Sequence, residues 1–257
     1  MLISSRNKIP ARCRYVVKPD TIDWRDRYYN YARSSIRESV DLRDMARVVQ
    51  SQSDLGSCTA QAIVAAYEIL LKREYPSEFA ELSPLFVYYN TRMEDGTINE
   101  DTGAYLRDAL KALGRYGVCT EEAWPYDPKK FNVKPSAEAY LNAGKYRITE
   151  YRRLTGIDDI LDSLSNNHPV VAGIMVYSNF EQITKEATVL SMPNDLEKEL
   201  GAHAILLVGY DLNKKQLLAQ NSFGSTWGEK GYFWIPFDYL QQELTDAWIF
   251  NILVKND

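Results

Sequence analysis

Apolar positions follow two different periods along this chain, and the change falls near residue 145. In the first half the strongest run is Ala60, Ala62, Ile63, Val64, Ala65, Ala66, Ile69, Leu70 and Leu71. It holds no Pro or Gly and predicts a mostly buried helix of about four turns. A polar, Gly-containing turn precedes it and ends in Ser57-Cys58, which places Cys58 at or within one residue of the helix start. Ser83-Pro84 predicts a second helix, with Ser83 as N-cap and Pro84 in the first turn, carrying Leu85, Phe86, Tyr88 and Tyr89 to about Arg92. Met93 to Thr102 reads as an acidic loop. A third helix, from about Ala104 to Tyr116, sets Leu106, Ala109, Leu110 and Leu113 on one face and stops at Gly117. Cys119 to Pro135, with Pro125 and Pro128 inside it, reads as loop.

Beyond residue 145 the pattern turns strand-like. Tyr146–Tyr151 alternates, and Pro169–Tyr177 is strongly apolar. Ala202–Tyr210, Gln216–Ser222, Gly231–Ile235 and Ala247–Val254 complete about six strands. Asp211–Lys215 makes a hairpin turn between two of them. Thr155–Asn166 is an amphipathic helix in which Thr155 and Asp158 resemble a capping box. A helical half (about 40–140) followed by a sheet half (141–257) predicts an α+β fold with a cleft between two lobes.

Residues 1–39 lack periodicity yet hold Tyr15, Trp24, Tyr28, Tyr29 and Tyr31. Disordered tails are poor in aromatics, so this segment is expected to be an ordered extension with short helical or 3₁₀ pieces. It carries nine basic and four acidic residues, a net of +5, against −10 for the rest of the chain. A basic arm on an acidic body is expected to dock on that body, as a structural wrap or as an inhibitory segment across the cleft.

The whole chain is 45% hydrophobic and 25% charged with a net charge of −5, which describes a globular protein without a basic surface for nucleic acid. No stretch approaches a membrane span, and the N-terminus lacks the apolar core of a secretory signal. Three cysteines, Cys13, Cys58 and Cys119, give no disulfide framework and suit a reducing compartment such as the cytoplasm. With only His168 and His203 and no paired-cysteine spacing, no metal and no cofactor is expected.

A cysteine at a helix start faces unpaired N–H groups and the positive end of the dipole, which favour a thiolate. Catalysis by it needs a base, a group to orient the base, and oxyanion donors. His168, in a turn before a strand, reads as an exposed loop histidine. His203 opens an apolar strand just after small residues. The next strand ends in Gln220-Asn221-Ser222-Phe223-Gly224, and a tight hairpin would set Asn221 beside His203. The Asn oxygen could fix the ring's tautomer and leave the other nitrogen for a thiol. Gln52, six residues before Cys58, could bring its amide above the helix start beside the Cys58 N–H. Each residue also has a bland reading: a small buried hydrophobe, a structural histidine, a turn asparagine, an exposed glutamine.

Taken together, Gln52…Gly56-Ser57-Cys58, His203-Ala204…Val208-Gly209-Tyr210 and Asn221-Ser222-Phe223-Gly224…Trp227-Gly228…Gly231-Tyr232 resemble the papain (cathepsin-like) cysteine peptidase family. His203 follows Cys58 by 145 residues and Asn221 follows it by 163. The resemblance covers about residues 40 to 254, from Val40-Asp41-Leu42-Arg43 onward. It implies a helical left lobe, a β-barrel-like right lobe, and a polypeptide substrate in the cleft. It implies Cys58 as nucleophile, His203 as base and acid, Asn221 as orienter, Gln52 as oxyanion donor and Trp227 as a shield over the His–Asn contact. Gly103 and Ala104 would bind substrate backbone. Leu106, Gly173, Gly201 and Ala204 would line an apolar pocket for the residue two before the cut.

Three positions depart from the family's pattern. Thr59 replaces an aromatic after the cysteine, Phe223 replaces a Trp, and Leu55 stands where secreted members carry a disulfide cysteine. The last suits an intracellular, bacterial-like or viral-like branch. The reading is a thiol endopeptidase working through a thioester. The alternatives are acyl transfer or deamidation on a specific protein, or an inactive polypeptide-binding relative.

Overall fold

The computed structural model describes residues 15–31 and 35–255. Strand β1 (Ser39–Asp41) leads to helix α1 (Cys58–Glu74), which is buried on nearly every side. That burial follows from its apolar sequence: Ile63, Tyr67, Ile69 and Leu71 are wholly covered, as expected of a helix without a polar face. Helix α2 (Pro84–Glu94) starts as predicted, with the Ser83 hydroxyl accepting the Phe86 N–H at 3.1 Å. Helix α3 (Leu106–Tyr116) ends at Gly117, whose N–H bonds the Leu113 carbonyl. A short helix α4 (Ala137–Ala143) follows the proline-bearing loop, capped by Ser136 on the Ala139 N–H. Its seven residues are too few to show a period in the sequence.

The second half supplies β2 (Tyr146–Arg153), α5 (Ile157–Ser165), β3 (Val170–Tyr177), β4 (Glu199–Asp211), β5 (Gln216–Gln220), β6 (Tyr232–Pro236), α6 (Phe237–Glu243) and β7 (Leu244–Val254). The α5 cap differs from expectation: the Thr155 N–H and hydroxyl both reach Asp159, one residue beyond the predicted Asp158. The strands form one antiparallel sheet in the order β2-β7-β3-β4-β5-β6, with β1 alongside β4. The expected barrel-like closure does not occur. Closure would require β2 to pair with β6. Instead loop residues cap both edges, Tyr28 beside Arg153 of β2 and Val189 beside Trp234 of β6.

The N-terminal extension is corrected more strongly. Residues 15–31 form no helix; they run extended, with one turn at Trp24-Arg25. Three of their N–H groups are taken by the body's carbonyls: Val17 by Ala202 (3.0 Å), Lys18 by Ala104 (3.4 Å) and Tyr29 by Arg153 (2.8 Å). Asp26 anchors the second part. Its carboxylate is nearly buried and meets Arg107 at 2.7 Å and Arg153 at 3.2 Å. Removing one partner of a buried ion network strands the others. Asp26→Ala should therefore lower stability by about 3 kcal/mol, read as an earlier urea midpoint. An unchanged midpoint would mean that this anchor holds nothing.

Candidate active site

Cys58 is the first residue of α1 and is 1% exposed. The turn before it is tied from outside. The Tyr126 hydroxyl donates to the Gln52 carbonyl at 2.9 Å and sits 2.6 Å from the Ser57 hydroxyl, while Asp101 accepts the Gly56 N–H at 3.0 Å. The Cys58 thiol lies against the backbone of Ala204, the residue after His203. His203 is fully buried on β4, and its Nε2 is 2.8 Å from Asn221 Oδ1. Asn221 also accepts the Ser222 N–H through that oxygen at 2.8 Å. The other ring nitrogen of His203, Nδ1, has no hydrogen-bond partner. The β4–β5 pairing, with Leu206 opposite Gln220, is what brings Asn221 back to His203. Gln52 is buried in the same place; its amide donates to the Leu55 carbonyl at 2.9 Å and its oxygen accepts from the Ser222 hydroxyl.

Burial decides the charge state. It pushes the Cys58 thiol up to about 11, against the helix-start expectation of a lowered value, and pushes His203 down to about 4. Both groups are neutral in this state. Three rings cover the imidazole: Tyr15 at 5.6 Å, Phe180 at 5.7 Å and Phe223 at 5.2 Å between centroids. Trp227 stacks behind them, on Phe180 (5.7 Å) and Phe223 (5.6 Å). Phe223, read from sequence as a departure, is thus in direct contact with His203.

Residues 15–18 of the extension fill the groove beside these groups. Val16 bridges Ala202 and Lys18 bridges Tyr105. Gly103, with φ +72°, lies so close that a Cβ there would stand 2.0 Å from the Val16 carbonyl oxygen. Gly201, at φ +126°, would meet the Tyr15 carbonyl oxygen at 2.4 Å. Only glycine fits both the dihedral and the approach at these two positions. A Cβ on Gly173 would be 3.6 Å from Val17, 3.7 Å from Leu106 and 2.5 Å from the Thr245 hydroxyl. Gly103, Ala104, Leu106, Gly173 and Gly201 are therefore gathered around this segment. Ala204 pairs with Gly173 and backs onto the thiol.

Tyr15, Val17, Phe180, Thr245 and Tyr126 escaped the sequence reading, because their places follow from pairing between distant segments. Thr59 has a role the reading lacked: its hydroxyl donates to the Ala104 carbonyl at 3.3 Å. His168 is not an exposed loop residue. It is half-buried, with Nε2 3.1 Å from the Phe250 carbonyl, and burial lowers it to about 4. Cys119 is a buried free thiol, and Cys13 lies outside the described residues. Among the described residues no group of three or more His, Cys, Asp or Glu could hold a metal, and no helix is long and apolar enough to cross a membrane.

A sequence model described as papain family cysteine protease matches residues 36–245. An uncharacterised peptidase C1-like protein of Acanthamoeba polyphaga mimivirus is 39% identical over 227 residues, covering 81% of this chain and 73% of that one. Chymomexicain of Jacaratia mexicana is 30% identical over 199 residues, covering 76% of this chain and 86% of its own. Among solved structures, xylellain, a cysteine protease from Xylella fastidiosa, matches with a TM-score of 0.85 at 33% identity, over 96% of this chain and 99% of that one.

Proposed function

The chain belongs to the papain family of cysteine peptidases, and on that premise we propose a thiol endopeptidase whose own residues 15–18 cover the cleft until they are displaced. The observation that carries the reading is the His203–Asn221 bond of 2.8 Å, made through Nε2, with Nδ1 uncommitted and the Cys58 thiol against the adjoining residue of the same strand. Once water and substrate replace the segment, His203 Nδ1 takes the thiol proton as sulfur attacks a peptide carbonyl. The oxyanion is met by the Cys58 N–H and by the Gln52 amide, which has two hydrogens and spends one on Leu55. The intermediate collapses to a thioester as His203 protonates the leaving amine. Water, losing a proton to His203, then attacks the thioester. The acid leaves and the thiol is restored.

Val17 supports an apolar preference two residues before the cut, since it occupies the space between Gly173 and Leu106 that such a side chain would take. A peptide library should therefore select Val, Leu or Ile there. Selection of a charged residue would overturn the pocket assignment, and no hydrolysis of any member would overturn the peptidase reading itself.

The cover should respond to pH through Asp20. Its N–H donates to Asp246 at 2.9 Å, and its carboxyl accepts the Arg107 N–H and the Trp248 indole, both at 3.1 Å. Burial first, then the facing carboxyl of Asp246, raises it from 3.8 to about 6, although Arg107 pulls the other way; Arg153 is paired to Asp246 and Asp26 to both arginines. A carboxyl raised in the docked state docks best when protonated. Docking is then strongest below about 4 and weakens as pH rises through about 6, by about 3 kcal/mol in all. Alkylation of Cys58 in the full chain should speed up across that window beyond the thiol's own titration. Asp20→Asn should remove this extra dependence. The same profile in both chains would show that Asp20 does not gate the cover.

A further inference from the structure

Thr59 is the second residue of α1 and follows the nucleophile directly. It is 1% exposed, so its hydroxyl has to be satisfied inside the protein. A threonine in a helix often returns that hydroxyl to the carbonyl four residues back. Here that carbonyl belongs to Leu55, outside the helix, and it is already taken by the Ser57 N–H at 2.8 Å and the Gln52 amide at 2.9 Å. The hydroxyl goes instead to the Ala104 carbonyl at 3.3 Å. That is longer than the roughly 2.5–3.0 Å of most O–H···O bonds. The same hydroxyl also reaches the Cys58 sulfur, beside the backbone N–H groups of Cys58, Thr59 and Ala204. One proton therefore has two acceptors, and one of them is the atom that reacts.

We propose that Thr59 is a catalytic residue of this chain, whose hydroxyl turns from the Ala104 carbonyl to the Cys58 sulfur when that sulfur becomes an anion. The proposal rests on the peptidase reading above. A neutral thiol is a weak acceptor, so in the resting chain the carbonyl holds the proton. A thiolate is a charged acceptor, and charge-assisted bonds are roughly twice as strong as neutral ones. A hydroxyl hydrogen rotates about its own C–O bond, so the change needs no movement of the helix. Thr59 keeps its proton throughout; the proton of the thiol passes to His203 Nδ1. In the covered chain the Ala104 oxygen has a second donor, the Lys18 N–H at 3.4 Å. In the open cleft water or a substrate N–H takes that place, so the oxygen keeps a bond when the hydroxyl leaves it. Thr59 stands where the family's pattern carries an aromatic, so this donor comes with the substitution. Among the described residues, the titratable groups facing this end of α1 are His203 of β4, Tyr126, 2.6 Å from the Ser57 hydroxyl, and Asp101, on the Gly56 N–H.

The test follows Cys58 alkylation by iodoacetamide, an uncharged reagent, against pH in the full chain, in Thr59→Val and in Thr59→Ser, with hydrolysis of a dye-linked peptide measured alongside. Valine has nearly the shape of threonine without the hydroxyl, and serine keeps the hydroxyl. In Thr59→Val the midpoint at which the thiolate forms should rise by about one pH unit, the scale of one hydrogen bond to a charged group. Alkylation and hydrolysis below that midpoint should then fall about tenfold. Thr59→Ser should keep the wild-type midpoint. His203, Tyr126, Asp101 and the segment over the cleft are the same in all three chains, so their own responses to pH drop out of the comparison. A midpoint does not depend on how much of a preparation is folded, so a valine chain that folds poorly still gives the reading. Equal midpoints in wild type and Thr59→Val, or a serine chain that shifts with the valine chain, would overturn the role of Thr59 and leave the peptidase reading standing on the wild type's hydrolysis. No hydrolysis by the wild type would remove that reading and the catalytic role with it.

Discussion

Replacing Cys58 by alanine should abolish peptide hydrolysis, with a fall in kcat on the order of 10⁴-fold or more, the scale seen when a covalent nucleophile is removed from a hydrolase site. The effect should fall on kcat rather than on KM, because Cys58 is the first residue of α1, the groove residues Gly103, Ala104 and Gly173 lie on other elements, and the pocket keeps its shape. Alanine is a good helix former and removes no capping contact: no side-chain cap bond is made at the start of α1. Folding should therefore survive, and an unchanged thermal midpoint separates loss of chemistry from loss of structure. Retention of more than about a hundredth of the wild-type rate would assign the reaction to another nucleophile, since losing the attacking group costs far more than that.

The second large effect runs the other way. Val17→Asp should raise both peptide hydrolysis and Cys58 alkylation in the full chain. Val17 is 5% exposed and lies among Gly173, Leu106 and Ala202, whose side chains carry no charge. Burying an unpaired charge costs several kcal/mol, so the segment should leave the groove instead. The covered thiol, near 11, is ionised at pH 7 to about one part in ten thousand, whereas an accessible cysteine near 8.5 reaches about 3%. Uncovering alone should thus speed alkylation on the order of 10²-fold at that pH, before any help from His203. Val17 sits at the edge of the main apolar cluster, on a segment outside α1 and the sheet, so the helices and strands should keep their own pairing when it leaves. An unchanged alkylation rate would mean that residues 15–18 do not guard the thiol.

The part of the site that could be read in the sequence is local. Cys58 before an apolar run had to stand at a helix start, and a hairpin centred on Asp211–Lys215 had to return Asn221 to His203. Ser83-Pro84 and Gly117 fixed two helix ends for the same reason. What escaped depends on segments far apart in the chain. The path of residues 15–31 has no period, because Val17, Lys18 and Tyr29 each spend their N–H on a different distant carbonyl. The open sheet depends on Tyr28 and Val189 reaching its two edges. The thiol's raised value is set by its burial, which overrides the local pull of the helix start. Phe180 sits against His203 only because a short helical turn after β3 folds it inward.

The measurement that bears most directly on this account is the mass and peptide map of the chain after treatment with an epoxide thiol reagent, in wild type and in Val17→Asp. The account predicts one adduct, on Cys58 and not on Cys119, slow in wild type and fast in the variant, with hydrolysis lost in step with labelling. Equal labelling of Cys119, or complete labelling of Cys58 with hydrolysis intact, would contradict it.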